Sequence, residues 1–210
     1  MQYSTLLLDL DGTVYPQNNG IWEEIAARME QFMHEKLNLP PAEIPGLRQT
    51  YYQQYGTTLS GLRNNYQIDE EEYLKYVHDV PLHQYLNPDI KLRKLLIKLP
   101  LQKWIFTNSD QAHAERVLNT LNIKDLFEGI LDITRFNYMN KPDQKVYQLA
   151  LDAIGNPLPE TCVFVDDSPI NLSPAKQMGM TTILVGNKPK NEFIDHQIPN
   201  IYDLTSVLYL

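Results

Sequence analysis

The sequence predicts an α/β protein: a parallel sheet covered by helices on both faces, with a helical segment inserted after the first strand. Short, continuous apolar runs recur along the chain, and helical patterns separate the later runs. Strands of a parallel sheet are apolar throughout because helices cover both faces of such a sheet. Residues 17 to 85 break the alternation, since they hold helical patterns and no convincing strand.

Local patterns define the elements of the predicted sheet domain. The strands are predicted at residues 4–10, 103–107, 129–133, 161–165 and 181–185. Helices are predicted over residues 110 to 121 and 143 to 154, with Gly155 as the C-cap of the second. Their apolar faces consist of Val117, Leu118 and Leu121, and of Val146, Leu149, Ala150 and Ile154. Asn87 and Pro88 predict the N-cap and first position of an earlier helix.

The inserted segment is predicted to form several helices. These are expected over residues 21–37, around residues 44–55, and over residues 69–80. Gly56 predicts the end of the second helix, and Thr57 or Thr58 predicts the cap of another. In the first helix, Trp22, Ile25, Ala26, Met29, Phe32 and Met33 recur at helical spacing and indicate core packing. We therefore expect a core domain of residues 1–15 and 86–210 and a helical cap domain of residues 16–85.

Composition narrows the class of protein. Of 210 residues, 43% are apolar and 21% are charged, as in globular proteins, and no apolar run is long enough to span a bilayer. Without a recognisable signal peptide, the expected location is cytoplasmic. The net charge of −8 argues against nucleic acid as a partner. The single cysteine, Cys162, is expected to be a buried strand residue, and the chain a monomer or homodimer.

Two pairs of carboxylates follow predicted strands. Asp9 and Asp11 end the first strand, two residues apart, so that an extended backbone directs both to one side, and Gly12 allows a tight turn. Asp166 and Asp167 follow another strand. In a parallel sheet, ligands collect outside the carboxyl ends of the strands. Converging carboxylates suit a hard divalent ion such as Mg²⁺, whose ligands are commonly carboxylates, water and substrate phosphate.

Groups able to bind an anion follow the second strand. Thr107 and Asn108 come at its end, and Ser109 or Asp110 can cap the next helix. A hydroxyl and backbone N–H groups near a helix N-terminus form an anion site. Lys141 precedes a proline that suits the first turn of a further helix, and its ammonium could neutralise a carboxylate and bind a phosphate oxygen.

The order of these motifs resembles that of the haloacid dehalogenase-like (HAD) hydrolase superfamily. The four matching stretches are DLDGT at residues 9–13, FTNS at 106–109, NKPD around Lys141, and FVDDSPIN at 164–171. The resemblance covers the whole core and implies a Rossmann-like, HAD-like α/β core. The inserted helices occupy the position of the superfamily's cap after its first motif.

The resemblance also implies roles for individual residues. Asp9 resembles the nucleophile that forms an aspartyl-phosphate, and Asp11 resembles the acid/base that protonates the leaving oxygen and activates water. Thr107 and Lys141, with Asn108 beside them, resemble phosphate-binding groups. An aspartate at position 11 is typical of the phosphatases of the superfamily and not of its dehalogenases.

A Mg²⁺ site is implied by the same resemblance. Its ligands would be the Asp9 carboxylate, the Asp11 backbone carbonyl and a member of the final acidic pair. Asp167 is the favoured direct ligand, and Asp166 is expected to act through water or to orient the site.

Residues of the predicted cap indicate a class of substrate. Residues 51–62, YYQQYGTTLSGL, resemble the cap signature of the pyrimidine 5′-nucleotidase-like branch. His113 belongs to the stretch TNSDQAHAERVL, residues 107–118, which also resembles that branch. The branch implies a nucleoside monophosphate such as UMP or CMP, with Tyr51, Tyr55, Thr58 and His113 as candidate substrate contacts. A helix–loop–helix with packed tyrosines is the alternative for this stretch. The remaining histidines, His34, His78, His83 and His196, are predicted to be structural.

Several functions compete with a nucleotidase. Within enzymes, the alternatives are a phosphatase for another small phosphate ester and a sugar-phosphate mutase. A receiver-like phospho-acceptor module also uses an acidic cluster, a Thr or Ser and a Lys, but its acceptor ends a middle strand and no cap follows its first strand. A scaffold that has lost catalysis is disfavoured because every expected chemical group is present.

Overall fold

The structure is a computed structural model that describes residues 3–208. Its sheet contains six parallel strands in the order β3-β2-β1-β4-β5-β6. The strands are β1 (Thr5–Leu8), β2 (Gln102–Phe106), β3 (Gly129–Leu131), β4 (Cys162–Asp166), β5 (Thr181–Val185) and β6 (His196–Ile198). This is the strand order of the doubly wound Rossmann fold, which confirms the predicted class.

Eight α-helices accompany the strands in the described part of the chain. They are α1 (Ile21–Leu37), α2 (Ile44–Tyr55), α3 (Thr58–Asn65), α4 (Glu70–Val77), α5 (Ile90–Lys98), α6 (Gln111–Thr120), α7 (Gln144–Ala153) and α8 (Pro169–Gln177). The first four lie in the inserted segment, where no strand is found between residues 16 and 85. None of the helices within residues 3–208 is both long enough and apolar enough to cross a bilayer.

Alternating strand residues build two cores on opposite faces of the sheet. Leu6 and Leu8 of β1 pack in one apolar cluster with residues of α5 and α6, whereas Leu7 packs in another with residues of α7 and α8. Cys162, a free thiol on β4, lies buried in the second cluster as predicted. Because helices cover both faces, the central strands β1 and β4 are largely apolar, and polar groups of the site collect at their carboxyl ends.

The inserted helices have an apolar cluster of their own. Phe32, Met33, Tyr51, Tyr73 and Leu74 are among its buried members. At the start of α1, in contrast, Ile21 and Ile25 pack in the cluster of the main sheet. The inserted helices are thus joined to the sheet domain by shared apolar packing as well as by the chain itself.

Several local predictions were wrong, and tertiary contacts explain them. Helix α5 begins at Ile90 with Asp89 as its N-cap, not at Pro88, because Asp89 caps the Leu92 N–H and also accepts a hydrogen bond from Tyr202. Similarly, α7 begins after Asp143, so that Pro142 precedes the helix.

The burial of residues on α1 and α7 and the last strand of the sheet also differ from the prediction. Trp22 and Leu149 are 42% and 38% exposed, whereas Ile21 and Tyr147 are fully buried on the same two helices. Strand β6 was not predicted because its three residues, HQI, form no apolar run.

Candidate active site

The polar groups that the sequence singled out lie at the carboxyl ends of three adjacent strands. Asp9 directly follows β1, Thr107 follows β2, and Asp166 is the last residue of β4. Strand β1 is where the strand order reverses, since β2 lies on one side of it and β4 on the other. Open α/β sheets bind ligands at such a switch point, because the loops on either side diverge and leave a crevice.

Asp9 is buried and held by hydrogen bonds to both carboxylate oxygens. The Lys141 ammonium donates to Oδ1 at 2.9 Å, and the Thr13 hydroxyl donates to Oδ2 at 2.9 Å. Burial raises the pKa of Asp9, Lys141 partly offsets that rise, and the charges of Asp166 and Asp167 add to it, so that the pKa reaches about 8. A cation beside Asp9 would favour its ionised form.

Lys141 is completely buried and bridges two of the strand ends. Its ammonium donates to Asp9, to Asp166 Oδ2 at 2.8 Å and to the Phe106 carbonyl at 2.7 Å. Burial alone would lower the pKa of Lys141, but the carboxylates of Asp166 and Asp9 outweigh burial and raise it. The lysine is therefore charged, with all three of its N–H donors used.

Carboxylate oxygens of Asp9, Asp166 and Asp167 lie within 4.8 Å of one another, a spacing that one metal ion could bridge. Asp166 accepts more hydrogen bonds than Asp167, since besides Lys141 it accepts from the Asn171 side chain and from the Ser168 N–H. Asp167 is partly exposed, and its Oδ2 accepts a hydrogen bond from the Lys188 ammonium at 2.8 Å. Burial and the charge of Asp166 raise the pKa of Asp167. Three hard carboxylate oxygens at this mutual spacing form a set that a divalent cation would stabilise.

Asp11 lies in a different environment from Asp9. Its Oδ2 accepts from the Ser109 hydroxyl at 2.6 Å, and its Oδ1 accepts from His113 Nε2 at 2.9 Å and from the Tyr15 hydroxyl. Burial acts to raise the pKa of Asp11, but these partners, His113 above all, outweigh it and hold the pKa well below its usual range. Asp11 is therefore held in its ionised form.

His113 is one of a stacked pair of histidines. Its ring lies 4.3 Å from the ring of His78, with an angle of 22° between the planes, and both residues are buried. His78 Nδ1 is hydrogen-bonded to Asp110, the N-cap of α6. No local pattern places His78 near the site, because it lies 35 positions before His113 and the docking of α4 brings the two rings together.

Thr107 and Asn108 occupy the positions predicted for phosphate binding but make different contacts. The Thr107 hydroxyl accepts from the Ser109 N–H at 3.0 Å. Asn108 binds the backbone of Lys141 twice: its Oδ1 accepts from the Lys141 N–H at 2.8 Å, and its Nδ2 donates to the Lys141 carbonyl at 3.0 Å. The Asn108 side chain is thus engaged in holding the loop that carries Lys141.

The cap residues predicted as substrate contacts divide into two groups. Tyr51 is buried against Gly61 inside the cluster of the inserted helices, and Thr58 is also buried. Tyr55, at the end of α2, lines a cavity of about 440 Å³. Other residues lining that cavity include Tyr52, Arg63, Asn64, Tyr138, Asn140 and Asn171.

Five further side chains complete the site and were missed as candidates. They are Thr13, Tyr15, Ser109, Asn171 and Lys188. Tyr15, Ser109 and Asn171 lie in or next to the motif stretches, so their proximity to the aspartates was a usable signal. Lys188 comes from the connection between β5 and β6, and nothing in its local sequence distinguishes it from a surface lysine.

A Rossmann-like sheet with an acidic centre at its switch point, next to an inserted set of helices, defines the class of this protein. The haloacid dehalogenase-like hydrolase family matches residues 3–179, and the chain belongs to this family.

Two curated relatives share part of their length with the chain. Phosphate metabolism protein 8 of Saccharomyces cerevisiae is 34% identical over 190 residues, which are 84% of this chain and 59% of the yeast protein. Bifunctional epoxide hydrolase 2 of Mus musculus is 47% identical over 49 residues, which are 23% of this chain and 9% of the mouse protein. The chain thus spans less than two thirds of either relative.

Solved structures share the fold over nearly the whole chain. The HAD-hydrolase YfnB of Bacillus subtilis, bound to magnesium, has a TM-score of 0.68 and 18% identity, covering 100% of both chains. The HAD phosphatase from Thermococcus onnurineus has a TM-score of 0.68 and 19% identity over 98% of both chains. The L-2-haloacid dehalogenase of Xanthobacter autotrophicus has a TM-score of 0.62 and 13% identity, again over 98% of both. At these identities the likeness establishes the fold.

Proposed function

We propose that the chain is a Mg²⁺-dependent phosphomonoesterase that acts through an aspartyl-phosphate on Asp9. The observation that carries this proposal is that two neighbouring carboxylates, Asp9 and Asp11, have different surroundings. Asp9 belongs to the acidic group and contacts Lys141, whereas Asp11 is held apart by Tyr15, Ser109 and His113. Two carboxylates in different surroundings can act as nucleophile and as acid/base in one reaction.

In the first half of the proposed reaction, a carboxylate oxygen of Asp9 attacks the phosphorus atom of the ester. The bond from phosphorus to the leaving oxygen breaks, and that oxygen takes a proton from Asp11 in its protonated form. Lys141, 2.9 Å from Asp9, places a positive charge where the phosphate oxygens gather. Thr107, whose hydroxyl lies at the end of β2, is proposed as a second phosphate-binding group.

In the second half, Asp11 acts as the base. It takes a proton from a water molecule while the water oxygen attacks phosphorus, the bond to Asp9 breaks, and inorganic phosphate leaves. The hydrogen bonds from Ser109 and His113 stabilise the ionised Asp11 that this step needs. The surroundings of Asp11 favour its ionised form. For esters with poor leaving groups we therefore expect the first half of the reaction, in which Asp11 must donate a proton, to be the slower half.

Mg²⁺ is proposed to be held by Asp9, Asp167 and the Asp11 backbone carbonyl, with Asp166 orienting the site. The mutual spacing of the acidic group and the raised pKa of Asp9 support this assignment. The saturated contacts of Asp166 support an orienting role, and the exposure of Asp167 supports a direct one. When bound, the cation neutralises charge on the phosphate and on the carboxylates that surround it.

The proposed substrate is a small phosphorylated metabolite, specifically a nucleoside 5′-monophosphate such as UMP or CMP. Supporting this choice, the cavity that Tyr55 lines also contains Tyr52 and Tyr138, whose rings can stack on a base, and amides that can pair with its edge. Tyr51 and Thr58, being buried, are proposed to shape the cap rather than to contact the base.

Phosphate release from a panel of esters tests the proposal. The panel contains UMP, CMP, AMP, glucose 1-phosphate, glucose 6-phosphate and an aryl phosphate, each with Mg²⁺ and with EDTA, and 2-chloropropionate to test for dehalogenation. We expect Mg²⁺-dependent release that Asp9→Asn lowers by roughly a thousandfold or more. Asp152→Asn, at an exposed aspartate on α7, is the matched control and should retain wild-type activity.

The outcomes separate the parts of the proposal. Preference for UMP and CMP supports the nucleotidase assignment, and preference for another ester replaces it while leaving the mechanism in place. Conversion of glucose 1-phosphate into glucose 6-phosphate identifies a mutase instead. Activity retained in Asp9→Asn, or release of chloride alone, would overturn the phosphatase mechanism.

A further inference from the structure

Asn140 lies at the contact between the inserted helices and the loop that carries Lys141. It is buried, and its side chain binds the inserted helices twice. Its Oδ1 accepts a hydrogen bond from the Ser60 hydroxyl on α3, and its Nδ2 donates to the Tyr55 carbonyl at the end of α2, at 3.0 Å. Both polar atoms of one side chain are therefore engaged across the contact.

The same side chain also binds the backbone of Lys141. Asn140 Nδ2 donates to the Lys141 carbonyl at 2.7 Å, and Asn108 Nδ2 donates to that carbonyl from the other side at 3.0 Å. The Asn108 Oδ1 accepts from the Lys141 N–H at 2.8 Å. Two asparagines thus hold the backbone N–H and carbonyl of Lys141, and of these two only Asn140 also binds the inserted helices.

Gly56 shows how closely the two surfaces meet. Its φ of +82° is in the left-handed region, and a Cβ atom built on it would lie 2.7 Å from Asn140 Nδ2 and 2.9 Å from the Lys141 carbonyl oxygen. Backbone atoms of the inserted helices therefore lie directly against the Lys141 loop, and a larger residue would separate the two.

We propose that Asn140 is a positioning residue that couples the docking of the inserted helices to the placement of Lys141. While the helices are docked, Ser60 and Tyr55 fix Asn140, which with Asn108 fixes the Lys141 backbone. When they move away, Asn140 loses both of those partners, so that its hydrogen bond to the Lys141 carbonyl is no longer fixed by the inserted helices. The ammonium that contacts Asp9 is then less well placed.

This coupling gives the docked state a function beyond covering the site. Reacting groups placed within a fraction of an ångström make large contributions to rate, and a closed site excludes water. An arrangement in which Lys141 is best placed while the inserted helices are docked favours phosphoryl transfer in the docked state. The catalytic consequence rests on the proposed phosphatase function, whereas the structural coupling does not.

Ser60→Ala tests the coupling, because Ser60 belongs to the inserted helices and does not contact Lys141. The direct readout is hydrogen exchange at the Lys141 amide, whose N–H donates to Asn108. We expect exchange there to be about five- to tenfold faster in Ser60→Ala. Asn65→Ala is the matched control, since Asn65 bonds only the Gly61 carbonyl within α3, and it should leave the Lys141 amide unchanged.

Kinetics of the aryl phosphate provide the second readout. Ser60→Ala should lower kcat by about tenfold, with little change in KM, because this small substrate gains little binding from the inserted helices. Ser60→Thr keeps the hydroxyl and should restore most of the loss. In an Asn140→Ala background, Ser60→Ala should have no further effect, since its influence passes through Asn140.

The two readouts separate failure of the coupling from failure of the proposed function. Unchanged exchange at Lys141 in Ser60→Ala overturns the coupling, as does an effect of Ser60→Ala that persists in full beside Asn140→Ala. An inactive wild-type protein overturns the phosphatase proposal instead, and the exchange experiment still decides the coupling. If Asn140→Ala does not fold, Ser60→Ala and Gly56→Ala, which forces the surfaces apart, give the same test.

Discussion

The Lys141 ammonium lies 2.9 Å from Asp9 Oδ1 and 2.8 Å from Asp166 Oδ2, and all three residues are buried. One positive charge is therefore shared by two carboxylates that come from different strands. A buried carboxylate without a partner is costly, so this lysine is needed for the fold as well as for the proposed chemistry.

We predict that Lys141→Met destabilises the protein by roughly 3–5 kcal/mol, because it leaves two buried carboxylates without their cation. Urea denaturation at neutral pH measures the loss. Mg²⁺ should recover part of the stability, because a bound cation supplies charge to the same carboxylates. Lys145→Met, at an exposed lysine on α7, is the control. Equal stabilities of wild type and Lys141→Met would contradict this account of the acidic centre.

We predict that Asp11→Asn separates the two halves of the reaction. With an aryl phosphate, whose leaving group needs no proton, the variant should release close to one equivalent of phenol and then stop, because no base activates water. Rapid-mixing kinetics measure the burst, and intact-protein mass spectrometry measures the phosphorylated enzyme. Continued turnover at the wild-type rate would remove Asp11 from the proposed acid/base role.

Lys188→Gln is predicted to strengthen Mg²⁺ binding. Lys188 Nζ donates to Asp167 Oδ2 at 2.8 Å, and its side chain is 42% exposed, so removing it takes a partly screened positive charge from a proposed metal ligand. Exposed ion pairs contribute about 0.2–1 kcal/mol, which corresponds to a Kd lower by a factor of roughly 1.4 to 5. Calorimetric titration with Mg²⁺ measures the change, and Lys190→Gln, whose ammonium bonds the Asp195 carbonyl, is the control. Weaker binding in Lys188→Gln would instead make this lysine a support for Asp167.

The buried His78 is predicted to make stability depend on pH. Burial and the neighbouring His113 lower the pKa of His78 below its usual 6.5. Between the two pKa values the unfolded chain binds more protons than the folded one, so the free energy of unfolding rises with pH there and falls as the pH drops below about 6.5. Denaturation at pH 5.5 and 7.5 should show a smaller difference for His78→Gln than for wild type. His83→Gln, at an exposed histidine, should leave the difference unchanged; the same effect in both variants would exclude this explanation.

The sequence by itself determined the sheet domain, the inserted helices and the candidate groups at the strand ends. A strand covered by helices on both faces needs a continuous run of apolar residues. Polar residues such as Asp9 and Asp166 then mark the carboxyl ends of the strands, where the apolar runs stop. These signals are local along the chain, so they can be recognised without knowing which strands are neighbours. The roles of the site residues remain predictions.

Only the tertiary structure decided how those groups are held. Strand order placed Asp166 beside Asp9, and docking of the inserted helices brought His78 to His113 and Ser60 to Asn140. It also showed that Asn108 binds the Lys141 backbone and that Lys188 reaches Asp167. Each of these contacts joins residues far apart along the chain, and their distances and burial depend on the packing of whole helices and loops. Local propensity does not encode such contacts, and the charge of Asp9, Asp11 and Lys141 in the site follows from them.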